Sequence, residues 1–538
     1  MKNAAWFALA FVLALLVGGC GHEAPPPTKP AASSAPSRVT RRLDADVKTL
    51  NYLLQTTEEE RQVLAYLYDP LLALDENLTP IPGIAATWEI SDGGRTYTLH
   101  LDPRATFSDG TPVTANDVRF TLLTVLDTSS PQFSSWFEHL DRAKTQVLDA
   151  RTIRVAFTTV RAAQLLAFTI SVLPEHVYGR GDFSSTAAVV GNGPYVLKRR
   201  DPGQSLVLAR RADYWRERPE IAEVVFRPIA EEQVAWNALL RGELDVARVS
   251  NDVWWRGKDR PEVRAKLRFV DTWLLSYNCF AWNLDDPLFR DARVRRALAL
   301  SFDRPSVIGT LLHGQARPVT GPFTPEQWAH NPAVPPLPFD LRQAAALLAA
   351  AGWRDTDHNG TLDRNGKPFS FTMLIPVGTI ARDQAQVFQA ALRQIGARME
   401  IATMDGAAFF DRVLHRNFQA AFFSWFNEPD PDPYSLFHST QLAPDGLNVG
   451  GYKSAQADRL LDAARVELDR GRRTQMYHDL HGLLARDQPY LWTVQVATKW
   501  AVNRRIENVR TSNGLGLFLW YPGPYAWKVA SPPKAAQQ

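Results

Sequence analysis

Residues 87–120, TWEISDGGRTYTLHLDPRATFSDGTPVTANDVRF, prescribe both a strand pairing and the helix that follows it. Trp88, Glu89, Ile90 and Ser91 run into the turn Asp92-Gly93-Gly94. Tyr97, Leu99 and Leu101 then alternate with Thr96, Thr98 and His100, the two-residue period of a half-buried strand. Asp109-Gly110-Thr111-Pro112 is a second turn. Thr114 followed by Asp117, just ahead of Val118 and Phe120, is a capping box that opens a helix. The local grammar is a β-hairpin followed by a helix.

Similar units recur along the chain. A strand is expected after Gly191-Asn192-Gly193-Pro194-Tyr195; Leu206, Val207 and Leu208 follow, and Ala212-Asp213-Tyr214-Trp215 closes the unit. Residues 231–240 read as an amphipathic helix ended by Gly242, and 243–246 turn into a strand. Asp291 is an N-cap, with Val294, Ala297, Leu298 and Ser301 on one helix face. Asp303-Arg304-Pro305 starts another helix that ends at Gly314. Asp340 caps 341–351, which Gly352-Trp353 closes. Residues 369–375, 381–395 and 397–401 read as strand, helix and strand. Such alternation predicts α/β lobes, and 519 residues from Cys20 onward are too many for one core.

The amino terminus carries an address. Lys2 precedes an apolar run at 4–17 that is too short to span a bilayer and ends at Val17-Gly18-Gly19-Cys20. Small residues before a cysteine resemble a lipoprotein signal, so residues 1–19 are expected to be removed and Cys20 to carry lipid. Residues 20–38, rich in Pro, Ala and Ser, read as a disordered tether. Cys279 is then the remaining thiol, which excludes an intrachain disulfide and is expected as a small buried hydrophobe in a strand. A net charge of +3, without a basic cluster interleaved with aromatics, argues against nucleic acid as a partner.

The wording of residues 87–120 also resembles the large extracellular solute-binding proteins of family 5, which serve ABC importers of peptides and nickel and are similar to dipeptide- and oligopeptide-binding proteins. The resemblance continues in Gly191-Asn192-Gly193-Pro194-Tyr195, in Asp213-Tyr214-Trp215 and in NLDDPLFRDARVRRALALSFD at 283–303. It implies a two-lobed periplasmic-binding-protein fold of the large class (type II, cluster C). Lobe I would comprise 39–75, 186–279 and 499–530, an extra subdomain 76–185, and lobe II 280–498, with hinge crossings near Phe280 and Lys499. It implies a non-enzymatic, cofactor-free, monomeric lipoprotein outside the cytoplasm. That protein would capture peptides between its lobes and pass them to an ABC permease. A nickel chelate, oligosaccharide, opine or lipid-like ligand on the same fold is the alternative, and a secreted enzyme is a third.

In peptide-binding members, the resemblance implies, an acid three residues after a tryptophan pairs with the ligand's α-ammonium. In SWFNEPDPDPYSLFHS, residues 424–439, that position after Trp425 is Glu428, with Asp430 as the rival. A buried ammonium needs a carboxylate, although acids among three prolines are equally read as a rigid solvated loop. Phe422 stands where some oligopeptide binders carry an arginine. Trp425, Tyr277, Trp282 and Trp492, near the hinge or in lobe II, and Tyr52 are the other candidate pocket residues, with core packing as the competing role of the first four. Asp355-Thr356-Asp357-His358-Asn359-Gly360 opens like a calcium loop but has Gly366 where the bidentate Glu belongs, so it reads as an Asx turn. His478 and His481 share a helix face and read as surface residues. Gly-x-Ser-x-Gly, His-Glu-x-x-His and Walker A patterns do not occur.

Overall fold

The computed structural model describes residues 37–127, 136–179, 189–378, 380–444 and 446–530. The signal, Cys20 and nearly all of the tether lie outside these residues. Arg38, which closes the expected tether, already sits in a strand.

Two sheets organise the described chain. The first has seven strands in the order Leu267–Thr272, Thr498–Asn503, Val246–Val249, Arg38–Leu43, Glu223–Pro228, Ser205–Arg210 and Tyr195–Asp201. The second has five, in the order Arg398–Met404, Ser370–Pro376, Ala420–Phe426, Ser276–Trp282 and Tyr490–Trp492. Strand Arg38–Leu43 pairs in parallel with both neighbours, and Ser370–Pro376 does the same in the second sheet. Such pairs require crossovers, which the alternating helices supply. Because Leu267–Thr272 lies in the first sheet and Ser276–Trp282 in the second, the chain crosses at 273–275, ahead of the Phe280 expected from sequence. It returns between Tyr490–Trp492 and Thr498–Asn503.

Period-two alternation sorts side chains between cores. Along Ser276–Trp282, Phe280 and Trp282 enter one apolar cluster while Tyr277, Cys279 and Ala281 enter the other. In the paired strand, Ala420 and Phe422 face the first of these, and Ala421 and Phe423 the second. The second sheet is thus covered on both faces, which explains its nearly continuous apolar sequence. In the first sheet, Trp500 and Val502 join the largest cluster and Ala501 a smaller one behind it.

A four-stranded sheet built from Ala85–Ser91, Thr96–Leu101, Thr152–Ala156 and Gln146–Asp149 forms the subdomain. Its Tyr97, Leu99 and Leu101 are buried in alternation, as expected. Helix Ala115–Asp127 begins where the capping box predicts, but only half of the box forms. The Asp117 carboxylate accepts from both the N–H and the hydroxyl of Thr114, so that hydroxyl acts as a donor rather than a cap acceptor. Leu99 and Val118 of the subdomain share one core with Leu64 and Phe226 of the first sheet's lobe.

The two motifs at 191–195 and 213–215 converge on Asp69. Its N–H donates to Asn192 Oδ1 at 2.7 Å, and its carboxylate accepts from the Tyr214 hydroxyl at 2.7 Å and from Trp215 Nε1 at 3.2 Å. Burial raises this carboxyl to about 6 against those bonds. Gly191 and Gly193 are required by close approach: a Cβ on Gly191 would lie 1.9 Å from the Leu67 carbonyl oxygen. Gly191→Ala is therefore expected to destabilise the protein by about 3 kcal/mol through forced backbone displacement. The check is denaturant unfolding followed by circular dichroism, which should show an earlier midpoint.

Candidate functional site

Strand Ala420–Phe426 delivers the site. Tyr277 pairs with Trp425 and Ser276 with Phe426 in antiparallel register, and the Asn427 N–H extends the ladder by donating to the Leu275 carbonyl at 2.6 Å. The Asn427 side-chain amide then donates to the Pro322 carbonyl at 2.7 Å and to Gln327 Oε1 at 2.8 Å. Gln327 Nε2 in turn donates to the Glu428 carbonyl at 3.0 Å. The backbone on both sides of Glu428 is pinned before its side chain begins. Asn427 and Gln327 were not singled out from sequence; the amide directly after a strand end was the available signal.

Two cavities meet at Glu428. The larger, about 710 Å³, lies between the subdomain, represented by Trp136 and Arg161, and the second lobe, represented by Trp425, Phe426 and Arg473. The smaller, about 230 Å³, is walled by aromatic groups of the first lobe, including Tyr52, Tyr68, Phe518 and Tyr525. Glu428, Pro429, Trp136 and Thr169 line both. Phe426, 71% exposed, presents its ring to the larger cavity. Trp425 stacks on Phe423 with centroids 5.0 Å apart.

The loop's acids have different fates. Asp430 pairs with Arg473: Nη1 donates to Oδ2 at 2.8 Å and Nη2 lies 2.7 Å from Oδ1, with side chains only 14% and 4% exposed. Asp432 holds Arg465 at 2.8 Å. The Glu428 carboxylate has no hydrogen bond or ion pair among the described residues. Protein crowds it from both lobes, yet its oxygens retain surface open to the cavities. This crowding raises its pKa, partly opposed by the charge of Arg61.

Other sequence candidates fall elsewhere. Tyr52 lines the smaller cavity and is engaged with Ser171. Tyr277 and Trp282 are core residues on opposite faces of the second sheet and line neither cavity, because strand alternation turns them into the packed layers. Trp492 is likewise buried and lines a separate cavity of about 240 Å³. His481 corrects the surface expectation: it is fully buried, accepts from the Asn331 N–H at 3.1 Å and meets the Thr320 hydroxyl at 2.9 Å. Burial pushes it down to about 3, so it remains neutral. At 355–360 the Asp355 carboxylate accepts from the N–H groups of Asn359 and Gly360, a self-satisfied turn.

A raised carboxyl pKa in the fold means that the ligand-free folded state binds protons more readily than the unfolded chain. Stability from this source is complete below the ordinary carboxyl pKa and is lost as pH rises through the folded value. Ligand-free Glu428→Gln should therefore melt above the native protein at pH 7, with the gap closing near pH 4. Scanning calorimetry across that range provides the check, and a variant that melts lower at pH 7 contradicts the assignment.

A family profile described as bacterial extracellular solute-binding proteins, family 5 (middle region), matches residues 79–448. The chain is 28% identical over 473 residues to the oligopeptide-binding protein AppA of Bacillus subtilis, covering 86% of each chain. It is 23% identical over 476 residues to a nickel-binding periplasmic protein of Escherichia coli, covering 85% of this chain and 89% of that one. The structure of Bacillus subtilis AppA in complex with a nonapeptide superposes with a TM-score of 0.76 at 26% identity, covering 92% of this chain and all of the other. NikA from Brucella suis, in complex with Fe(III)-EDTA, shares the fold with a TM-score of 0.81 at 20% identity, over 91% and 99% of the two chains. The architecture is the two-lobed α/β fold of periplasmic binding proteins, and the chain belongs to the family 5 bacterial extracellular solute-binding proteins.

Proposed function

We propose that this chain is the substrate-binding lipoprotein of an ABC importer. It captures a peptide between its lobes, holds the peptide's α-ammonium at Glu428 and presents the closed complex to a membrane permease. The observation that carries this reading is the unpartnered Glu428 carboxylate at the junction of two cavities. This carboxylate, crowded by both lobes yet open to the cavities, has a raised pKa and no cation paired with it, and a primary ammonium supplies both charge and donors. Asp430 and Asp432 already have guanidinium partners, which favours Glu428 over its rival. Trp425 and Phe426 would flank the ligand in the larger cavity, with Tyr52 in the smaller one. The similarity to a protein named for oligopeptide binding supports a peptide over the other solutes. The protein would act as a monomer, closing by rotation of its lobes about the two crossings between the sheets.

Calorimetric titration with a set of mixed-sequence peptides, three to nine residues long, and their N-acetylated forms tests the anchor. Glu428→Gln and acetylation should each weaken binding by roughly 2–5 kcal/mol, about 30-fold or more. Asp430→Asn should instead destabilise the fold by about 3 kcal/mol, since it leaves Arg473 buried and unpaired, without selective loss of the free-amine peptide. Native-like binding by Glu428→Gln, together with indifference to acetylation, would refute the amine anchor. A melting-point rise with nickel chelates or oligosaccharides, but not with peptides, would refute the peptide reading.

The membrane anchor is proposed from Val17-Gly18-Gly19-Cys20. Cys20→Ser should move the protein from the membrane to the soluble fraction of cells and leave peptide affinity unchanged. Fractionation by ultracentrifugation decides this, and persistence in the membrane pellet excludes lipidation at Cys20 as the tether.

A further inference from the structure

The two walls of the larger cavity are in contact. Ala162 of the subdomain donates its backbone N–H to the Arg465 carbonyl of the second lobe at 2.8 Å. Leu468 also approaches Gly94: a Cβ on Gly94 would lie 3.0 Å from Leu468 Cδ1. The contact brings Arg161, from the subdomain, beside Arg465, from helix Ala455–Val466 of the second lobe. Both line the cavity, with side chains 23% and 22% exposed.

Each guanidinium has one carboxylate partner. Arg161 Nη2 pairs with Glu138 at 3.1 Å, and Arg465 Nε with Asp432 at 2.8 Å. Arg161 Nη2 also donates to His139 Nε2 at 3.1 Å, which makes that nitrogen an acceptor and keeps the imidazole neutral. Arg465 lies 4.0 Å over the Tyr434 ring. These contacts fix both guanidiniums in place while engaging only part of their donor sets. The remaining N–H groups have no partner among the described residues. Two cations from opposite walls, held side by side, repel. Burial first and Arg465 second push Arg161 down, and burial with the same two arginines pushes His139 down.

We infer that Arg161 and Arg465 form an anion subsite, and that a ligand carboxylate seated between them fastens the subdomain to the second lobe. The inference rests on the peptide reading of the cleft. A carboxylate has two oxygens, so one can accept from each guanidinium in charge-assisted bonds. Its arrival replaces a repulsion across the cavity by two attractions. Because the arginines belong to different walls, the carboxylate meets both only when the walls are together. It therefore binds the closed arrangement more tightly, which is the condition for a ligand to shift a conformational equilibrium. The carboxylate can be the peptide's terminus or an acidic side chain, and both present the same chemistry.

The test uses the full-length protein and the tightest-binding peptide of the set described above. That peptide is prepared as free acid, as C-terminal amide, and as an amide carrying one added glutamate side chain. Calorimetry should show the plain amide bound about tenfold more weakly than the free acid; recovery by the glutamate-bearing amide would assign the subsite to side-chain carboxylates as well. Arg161→Gln and Arg465→Gln should each bind acid and amide alike, with melting temperatures near that of the native protein, and Arg465→Lys should retain part of the difference. Equal binding of all three forms by the native protein overturns the subsite while leaving the amine anchor intact. An acid-over-amide preference that survives both glutamine variants places the anion elsewhere and overturns it too. Failure of every peptide in the set to bind overturns the peptide reading itself, and the subsite with it.

Discussion

The register between Ser276–Trp282 and Ala420–Phe426 is the constraint on which the site depends. A strand's side chains alternate, so a slip by one residue would exchange the two cores and move every following residue to the opposite face. Phe280 and Phe422 on one side, and Cys279 and Phe423 on the other, make any slip costly. That apolar pairing fixes where the strand ends and where residues 427–433 enter the cavity. The Asn427–Gln327 amide contacts then hold the exit direction. Polar recognition is thus positioned by packing several residues away.

Electrostatics then separate three acids that look alike in sequence. Glu428, Asp430 and Asp432 sit within five residues, each next to a proline. Asp430 is tied to helix Arg470–Asp487 through the buried Arg473 and so forms part of the scaffold, whereas Asp432 meets the part-exposed Arg465 of helix Ala455–Val466 at the cavity wall. Glu428 is crowded but unpaired, a local loss of stability that a cationic ligand would reverse. Sites that must bind often retain such unsatisfied groups, and the rest of the fold supplies the stability that permits them.

The cavity is shared among parts of the chain far apart in sequence. The first lobe and the subdomain have one continuous core, so they form one wall with aromatic lining from Tyr52 to Tyr525. The second lobe brings its own cores and the acidic loop as the other wall. A ligand touching Glu428 is in reach of both, which gives lobe closure a physical basis in differential contacts.

Local grammar made much of the fold legible. The hairpin at 85–101, the helix beginning at Ala115, the Asp291 and Asp340 caps and the Gly242 stop depend on residues within a few positions of one another, and sequence displays those directly. The glycines at 191 and 193 were visible as a motif, but their reason, contact with the Leu67 backbone, is tertiary. The candidate site was legible only as a short run of residues. Sequence placed Glu428 and Asp430 together and left them equivalent. Their difference comes from Arg473, which is 43 residues beyond Asp430 and lies against it only after the helix packs. Tyr277, Trp282 and Trp492 lie in or next to the strands of the second sheet, yet the packed layers on its two faces took them into the core. His481, on a helix whose spacing suggested surface, was buried by the Thr320–Asn331 segment folding over it. Sequence alone determined elements, turns and family, because those rest on neighbouring residues. Tertiary structure decided which charges are paired and which aromatics face the cavity, because pairing and burial are properties of distant segments brought together.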